Sequence, residues 1–224
     1  MKNIEKQSKE SNRDYAFRVI RDNIISLELK PGTMISEQDL AYELDLSRTP
    51  VHEALQELSK TKIVEIFPQK GSLVSLINLE LVDEAVFVRA TLESAITEEA
   101  CKIASEEDIK YLTENVELQE FLLKQNNIDK FMEMDNLFHQ KMYEITNKMQ
   151  CYYMVKSMNI HHDRFRTLRV QGADRAPILK MHQKILQAIK ERNPEEARAI
   201  TAEHINRTKL DAAEIQKKYP EYFV

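Results

Sequence analysis

The sequence predicts a mainly α-helical protein in which an N-terminal winged helix-turn-helix is followed by an all-helical C-terminal bundle. Glycine and proline interrupt helices most strongly, and they are scarce, with 3 and 6 copies in 224 residues. Two short amphipathic segments within residues 36–58 are followed by two short β-like runs. From Asn78 onward the apolar residues recur at helical spacing and the β-like pattern disappears.

The change of pattern near Asn78 predicts a boundary between two domains, which suits a chain of this length. Residues 1–12 are polar, and we expect them to form a disordered arm. Residues 13–77 then form the winged helix-turn-helix, and residues 78–218 form the helical domain. The predicted N-terminal elements are helices beginning near Tyr15, Ser36 and Ser47, and strands over residues 63–67 and 72–76.

Six helices are predicted in the C-terminal domain, and polar start signals mark two of them. Ser105 precedes three acidic residues, which favour the positive end of a helix. Asn193 precedes Pro194, and this order is typical of a helix N-terminus. The predicted helices cover residues 79–103, 106–125, 128–146, 150–170, 175–192 and 194–217.

The composition favours a cytoplasmic protein. Cys101 and Cys151 stand apart, without the spacing of a disulfide framework or a CxxC motif. The N-terminal residues lack the apolar run of a signal peptide, and no segment approaches the roughly 18 apolar residues of a membrane span. We therefore expect a cytoplasmic location and no membrane partner.

The helix-turn-helix pattern predicts where double-stranded DNA would be read. The second helix of such a unit enters the major groove and presents its first residues to base edges, while a hairpin tip contacts the backbone or the minor groove. With a net charge of −5, binding would depend on a few well-placed cations. A small helical core without a DNA role is the alternative. The candidate contacts are Ser47, Arg48, Thr49 and His52 on the helix, and Lys70 and Gly71 at the tip.

The run from Leu29 to Ser75 closely resembles the DNA-binding domain of GntR-family transcriptional regulators. The resemblance covers nearly all of residues 14–76 and implies a winged helix-turn-helix that binds an operator. The matching residues are Pro31-Gly32, Glu37, Leu40-Ala41, Leu44, Ser47-Arg48-Thr49-Pro50-Val51, Glu53-Ala54-Leu55, Leu58 and Gly71.

The sequence departs from this family at several positions. His52 stands where the family usually has Arg, and Gln38 stands where it often has Arg. Both side chains can hydrogen-bond to DNA but carry less fixed charge, so we include Gln38 among the DNA contacts without carrying over the family's operator preference. Asp45 and Lys62 stand where Gly is common.

Four polar residues interrupt the predicted apolar helix faces of the C-terminal domain. Asp135 and His139 are four residues apart, which places both on one face of their helix. His182 and His204 lie among the apolar residues of two later helices. Three imidazoles and one carboxylate inside a bundle suit a divalent ion such as Zn²⁺, Ni²⁺ or Mn²⁺. Separate core histidines with ordinary hydrogen bonds are the alternative, because the sequence does not show that these helices meet.

Residues 79–217 resemble the FCD ligand-binding domain of the FadR branch of the same family, and the six predicted helices match its smaller type. The resemblance implies that Arg89 faces a ligand cavity, where a guanidinium would hold a carboxylate through two hydrogen bonds. An ion pair with Glu93 is the alternative for Arg89. Asn147 is placed either at the cavity or at a helix cap. Metal-binding members of this domain carry an ordered set that corresponds here to Asp135, His139, His182 and His204.

The remaining histidines and arginines of this region are expected to be structural. His162 falls on an apolar face and is expected in the core, whereas His161 is expected to be exposed. Arg164, Arg166 and Arg169 are expected on a solvated or interface face.

Taken together, these features predict a homodimeric transcriptional regulator of a near-palindromic operator. A small organic acid would bind at the metal and Arg89, and would act through its different affinities for two states of the protein. A metal-dependent enzyme and a pure metal sensor are the alternatives. Against the enzyme, the sequence offers no spare Glu or His that must serve as a general base.

Overall fold

The computed structural model describes residues 1–2, 4–172 and 175–224, and these are mainly helical with one small sheet. The chain divides into two compact units. The winged unit comprises residues 1–82, 157–167 and 213–224, and the helical unit comprises residues 83–156 and 168–212. None of the described helices combines the length and the apolar character that a membrane span requires.

The predicted winged helix-turn-helix is confirmed. Ser36 caps its second helix by accepting hydrogen bonds from the backbone N–H groups of Gln38 and Asp39. The sheet is antiparallel with the strand order β1-β3-β2, and its two-residue first strand is too short to leave a sequence pattern. The elements are α1 (Asn12–Ile25), β1 (Met34–Ile35), α2 (Glu37–Glu43), α3 (Arg48–Lys60), β2 (Val64–Phe67) and β3 (Gly71–Val74).

One apolar core holds these elements together. The inner face of α3 is completely buried and packs with the apolar face of α1 and with the sheet. Burying each such side chain contributes about 1.5–3 kcal/mol of transfer free energy, so this core fixes the orientation of α3. Its fully buried members include Val19, Ile20, Ile24, Val51, Ala54, Leu55, Leu58 and Ile63.

The N-terminal residues differ from the disordered arm predicted for residues 1–12. The backbone N–H of Lys2 donates to Asn23 Oδ1 at 2.7 Å. Arg18 Nε donates to Glu10 Oε1 at 2.7 Å, and this hydrogen bond lowers the pKa of Glu10 to about 2. Met1 and Ile4 pack against the core, so this segment lies on the folded unit.

The winged unit also includes residues 157–167, which the predicted division at residues 77 and 78 assigned to the helical domain. Ile160 joins its core. Arg164 was expected on a solvated or interface face, but it is fully buried, and its Nη1 donates to the carbonyl of Ser75 at 2.9 Å. Burial lowers the pKa of Arg164 to about 10.

His161 was expected to be exposed, but it is 4% exposed. Its Nδ1 accepts from the backbone N–H of Asn78 at 3.4 Å, and its Nε2 lies 3.3 Å from the carbonyl of Lys62. Burial and the charge of Arg164 lower the pKa of His161 to about 4. The ring is therefore held neutral against the backbone.

The C-terminal residues also complete the winged unit. Ile77 N–H donates to the carbonyl of Tyr222 at 2.7 Å, and Val224 N–H donates to the carbonyl of Ile77 at 3.2 Å. Phe223, between these two bonds, is buried beside the ring of Phe165. The segment that follows β3 is thus bonded to a part of the chain nearly 150 residues away in sequence.

The helical domain is confirmed as all-helical in the described residues, but two of the six predicted helices are divided. The predicted helix 150–170 is interrupted at Asn159, whose carbonyl and side chain both bond Asp163 and start a new helix. The predicted helix 194–217 contains a 3₁₀ turn at Arg207–Asp211. The helices are α4 (Leu79–Ile103), α5 (Glu106–Lys124), α6 (Ile128–Ile145), α7 (Met149–Met158), α8 (Ile160–Gly172), α9 (Ala176–Lys190), α10 (Pro194–Asn206) and α11 (Ala212–Lys218).

The start signals of the helical unit act as predicted. Ser105 and Asp108 form a capping box at α5, and Asn193 accepts from the N–H of Glu196 at the start of α10. The apolar faces of α4, α5, α6, α9 and α10 form the main core, with Ile96, Leu112, Phe138, Met142, Ile185 and Ile189 among its members. The polar cluster described below lies on these same five helices.

Candidate nucleic-acid interface and metal centre

The outer face of α3 carries a row of polar side chains. Arg48, His52 and Gln56 are four residues apart, so they lie on one face, one turn after another. All three are exposed, whereas Val51 and Leu55 on the adjoining face of the helix are buried. The packing of α3 thus leaves the face that was predicted to read DNA open to solvent.

A groove of about 390 Å³ runs between α2, the start of α3 and the β2–β3 hairpin. Among the predicted DNA contacts, Gln38, Arg48, His52, Lys70 and Gly71 line this groove. Ser47 and Thr49 are exposed at the first turn of α3, outside the groove lining. The structure therefore brings the predicted contacts to one surface of the winged unit.

Glu37 lies in the same groove and was not predicted as a site residue. Its Oε1 accepts from His52 Nδ1 at 2.6 Å, and its Oε2 lies 3.5 Å from Arg48 Nη2. On the other side of the ring, Gln56 Nε2 lies 2.9 Å from His52 Nε2. The sequence matched Glu37 to the resembling family without giving it a role, because nothing local shows that it faces α3.

Gly71 has a structural reason to be glycine. Its φ is +106°, and a Cβ there would lie 3.0 Å from the carbonyl oxygen of Ile35. Asp45 and Lys62, at positions where the resembling family commonly has Gly, have φ values of 52° and 60°. Non-glycine residues therefore occupy left-handed backbone at two turns of the winged unit.

The four residues predicted as metal ligands come together in the helical unit. Asp135 and His139 extend from α6, His182 from α9 and His204 from α10, and one ligand atom of each lies within 4.8 Å of all the others. His204 Nε2 is 3.2 Å from both His182 Nε2 and His139 Nε2. An oxygen of Asp135 is 3.7 Å from His182 Nε2.

Two neighbouring acceptors set the tautomers of this cluster. His182 Nδ1 lies 2.7 Å from Gln119 Oε1, and His139 Nδ1 lies 2.8 Å from Glu93 Oε2. Both oxygens are acceptors, so each Nδ1 carries the proton and each Nε2 of a neutral ring presents its lone pair to the cluster. This arrangement of outer acceptors and inner lone pairs is typical of histidines that bind metals.

The donor set fits a divalent cation. His204 Nε2 has one position for a proton but faces two lone pairs, so hydrogen bonds alone cannot satisfy all three nitrogens. Burial and the nearby His182 and His139 hold the pKa of His204 well below its usual value, which favours the neutral, ligating form. Three imidazoles and a carboxylate match the preferences of Zn²⁺, Ni²⁺ or Mn²⁺.

Glu93 connects this cluster to Arg89. Arg89 Nε and Nη2 donate to the two oxygens of Glu93 at 2.6 and 3.2 Å, so the structure shows the ion pair that the sequence left as the alternative to a ligand clamp. Burial alone would raise the pKa of Glu93, but Arg89 and His139 hold it well below the usual value. Sequence reasoning did not assign Glu93 or Gln119 to the site, although each follows another buried polar residue, Arg89 or Asn115, by four positions on its helix.

Asn147 lies elsewhere. It follows the C-terminal end of α6, is exposed and has a φ of 55°, and its backbone N–H donates to the carbonyl of Glu144 at 3.0 Å. Asn tolerates left-handed backbone better than most residues. Of the two alternatives for Asn147, these features favour the one at the helix end.

The fold and its exposed recognition helix define a DNA-binding protein with a second, helical domain. The family "Bacterial regulatory proteins, gntR family" matches residues 13–74, and the FCD domain matches residues 84–207. The chain belongs to the GntR family of transcriptional regulators and has the FadR-type architecture with an FCD domain.

Similar proteins support the same assignment. The HTH-type transcriptional repressor RspR of Escherichia coli is 24% identical over 208 residues, covering 92% of this chain and 91% of that protein. The gluconate operon transcriptional repressor of Bacillus subtilis is 33% identical over 121 residues, covering 54% and 49% of the two chains. The E. coli McbR/YncC structure has a TM-score of 0.79 at 20% identity, covering 94% and 99% of the chains, which shows the shared fold. These relatives are regulators, not enzymes.

Proposed function

We propose that this regulator binds a near-palindromic operator as a homodimer, and that a small organic acid bound at a metal site in the helical unit controls its affinity for DNA. The observation that carries the effector part is the convergence of three imidazole nitrogens and a carboxylate, with two tautomers set by Gln119 and Glu93. The DNA part rests on the exposed row along α3 and on the wing beside it.

The proposed DNA contacts follow from this geometry. Arg48 extends from the first turn of α3, and its side chain is 69% exposed, so it can reach guanine O6 and N7 in a major groove. Ser47, Thr49, Gln38 and His52 surround it on base edges or phosphates, and Lys70 contacts the backbone from the wing. Two copies related by a two-fold axis would place two such helices one turn of DNA apart.

Asp135, His139, His182 and His204 would hold the proposed metal ion. A divalent ion with open coordination positions would supply an electropositive anchor for a carboxylate. Because this chain itself pairs Arg89 with Glu93, an incoming carboxylate would share or exchange the guanidinium with that acid. The name of the Bacillus relative refers to a gluconate operon, and gluconate is therefore the first acid to test.

The DNA part is tested by Arg48→Ala. Binding is measured first by footprinting on the upstream region of the protein's own operon, with Arg13→Ala as the control because it removes the same charge from the exposed face of α1. Loss of one base-reading Arg should weaken specific binding about 5- to 100-fold while the control changes it little. Retained sequence-specific affinity in Arg48→Ala would contradict this placement of α3.

The metal part is tested by His182→Ala and His204→Ala. Elemental analysis should find stoichiometric divalent metal in the wild type and little in either variant, while the exposed His52→Ala retains it. Both variants should also lose the thermal stabilisation that added Zn²⁺ gives the wild type. Calorimetry of metal-loaded protein with gluconate, citrate and malate then separates an acid-responsive regulator from a pure metal sensor, which would bind none of them.

A further inference from the structure

Gln56 continues the polar row of α3 beyond the residues predicted to read DNA. Gln56 follows Arg48 by eight residues, which corresponds to a distance of about 12 Å along the helix axis. This distance is close to the width of the B-DNA major groove. Gln56 is exposed on the face that carries Arg48 and His52. Because this separation does not exceed the groove width, a helix lying in the groove with Arg48 at a base edge keeps Gln56 within reach of the bases of the same groove.

The hydrogen bonds around His52 orient the Gln56 amide and leave its oxygen unused. The Glu37 carboxylate only accepts hydrogen bonds, so His52 Nδ1 carries a proton at the 2.6 Å contact. The Gln56 amide nitrogen can only donate, so at the 2.9 Å contact His52 Nε2 accepts one of its N–H groups. No hydrogen bond of the described residues uses the amide oxygen of Gln56, which is left as an acceptor for another partner.

We propose that Gln56 is a specificity-determining residue whose amide oxygen accepts a hydrogen bond from a base-edge amino group, N6 of adenine or N4 of cytosine. His52 is a positioning residue in this arrangement, because it turns the amide, and Glu37 in turn fixes the tautomer of His52. The inference rests on the proposed placement of α3 in the major groove.

This assignment also gives a consequence to the histidine at position 52, where the family usually has Arg. An Arg there has only donors, so it would bond the amide oxygen of Gln56 and turn the amino group outward. The outward atom would then seek an acceptor, such as O6 or N7 of guanine or O4 of thymine. A histidine and an arginine at this position therefore select different bases through the same glutamine.

The experiment selects binding sites for the full-length protein from a randomised duplex pool at one salt concentration, and compares wild type with Gln56→Ala and His52→Arg. Gln56→Ala should lower discrimination about tenfold at one base pair of each half-site and leave the other positions unchanged. His52→Arg should replace the preferred adenine or cytosine at that position by guanine or thymine. Gln125→Ala, which removes an exposed glutamine from the end of α5, should select the wild-type sites.

Two outcomes overturn the inference. Wild-type base preferences in Gln56→Ala would show that Gln56 reads no base, and an unchanged preference in His52→Arg would show that His52 does not turn the amide. Arg48→Ala in the same selection separates this failure from failure of the proposed function. If it abolishes specificity while Gln56→Ala changes nothing, α3 lies in the groove and only the role of Gln56 is wrong.

Discussion

Single hydrogen-bond acceptors outside the proposed ligand set fix the tautomers of the histidine cluster. Gln119 is completely buried on α5, and its Oε1 is the acceptor for the Nδ1 proton of His182. Without that acceptor the proton can move to Nε2, which removes a lone pair from the cluster. Gln119 would therefore contribute to the affinity for the proposed metal without touching the ion.

We expect Gln119→Leu to weaken Zn²⁺ binding about 10- to 100-fold, because outer-shell acceptors of ligating histidines have effects of this size. Gln119→Glu keeps an oxygen at the same place and should bind Zn²⁺ within a few-fold of the wild type. Competition with a chromogenic chelator measures both affinities. Equal weakening in the two variants would show that Gln119 acts through packing and not through the His182 tautomer.

The sequence already contained the ligand set but not the residues that orient it. Asp135 and His139 could be placed on one helix face from their spacing alone, and His182 and His204 stood out among apolar neighbours. Glu93, Gln119 and Glu37 act through partners 15 to 63 residues away, on other helices. No local pattern records such pairings, because they depend on which helices pack together.

At the level of whole elements, the start of α8 could not be predicted from the spacing of apolar residues. The apolar spacing of residues 150–170 continues across Asn159, so periodicity predicted one helix. Asn159 instead starts α8 by bonding Asp163 through both its carbonyl and its side chain. This helix start places His161 and Arg164 against the backbone of the winged unit, and the spacing of apolar residues could not predict that position.

The buried His161 should make the winged unit sensitive to acid. Its pKa is lowered to about 4, so the unfolded chain takes up a proton near pH 6.5 while the folded ring stays neutral. The stability that this ring contributes is therefore complete above pH 6.5 and is lost as the pH falls towards 4. Between pH 7 and pH 5 the loss is about 2 kcal/mol, taking roughly 1.4 kcal/mol per pH unit below 6.5.

Urea unfolding of metal-free protein at pH 7 and pH 5 measures this loss, with His161→Gln as the matched variant. Glutamine keeps a donor and an acceptor but does not titrate, so the variant should lose about 2 kcal/mol less than the wild type over the same interval. All other titratable groups are the same in both proteins, so their contributions cancel in the comparison. Identical pH dependence in the two proteins would show that His161 is not held neutral in the folded state.

Considered as a whole, the winged unit is formed by three separate segments of the chain, whereas the sequence predicted a single domain boundary near residue 77. The composition did change class there, and the helix-turn-helix and the hairpin on the near side were predicted correctly. Phe223 and Ile160 are single apolar residues in distant segments, and single residues leave no pattern that assigns them to one core or another. A resemblance that ends at residue 76 could not supply them either.

Phe223 should therefore stabilise the winged unit from the far end of the sequence. Its side chain is 6% exposed, and truncation of such a phenylalanine costs about 3 kcal/mol, so Phe223→Ala should lower the midpoint of thermal unfolding of this unit. The adjacent Val224 is 77% exposed, and Val224→Ala should stay within about 0.5 kcal/mol of the wild type. Circular dichroism and calorimetry on the full-length variants measure both. Equal unfolding midpoints for the two variants would show that Phe223 does not stabilise the core.

Amide hydrogen exchange tests the three-segment construction directly by comparing the full chain with a fragment of residues 1–78. In the full chain Ile77 N–H donates to Tyr222, so it should exchange slowly, whereas the fragment lacks that acceptor and should exchange it at least tenfold faster. Val74 N–H is the internal control, because its acceptor is the carbonyl of Thr33, which the fragment retains. Slowed exchange at Val74 in both proteins, with fast exchange at Ile77 only in the fragment, is the expected pattern. Equal protection of Ile77 in both would mean that the wing and its following segment are complete without residues 157–167 and 213–224.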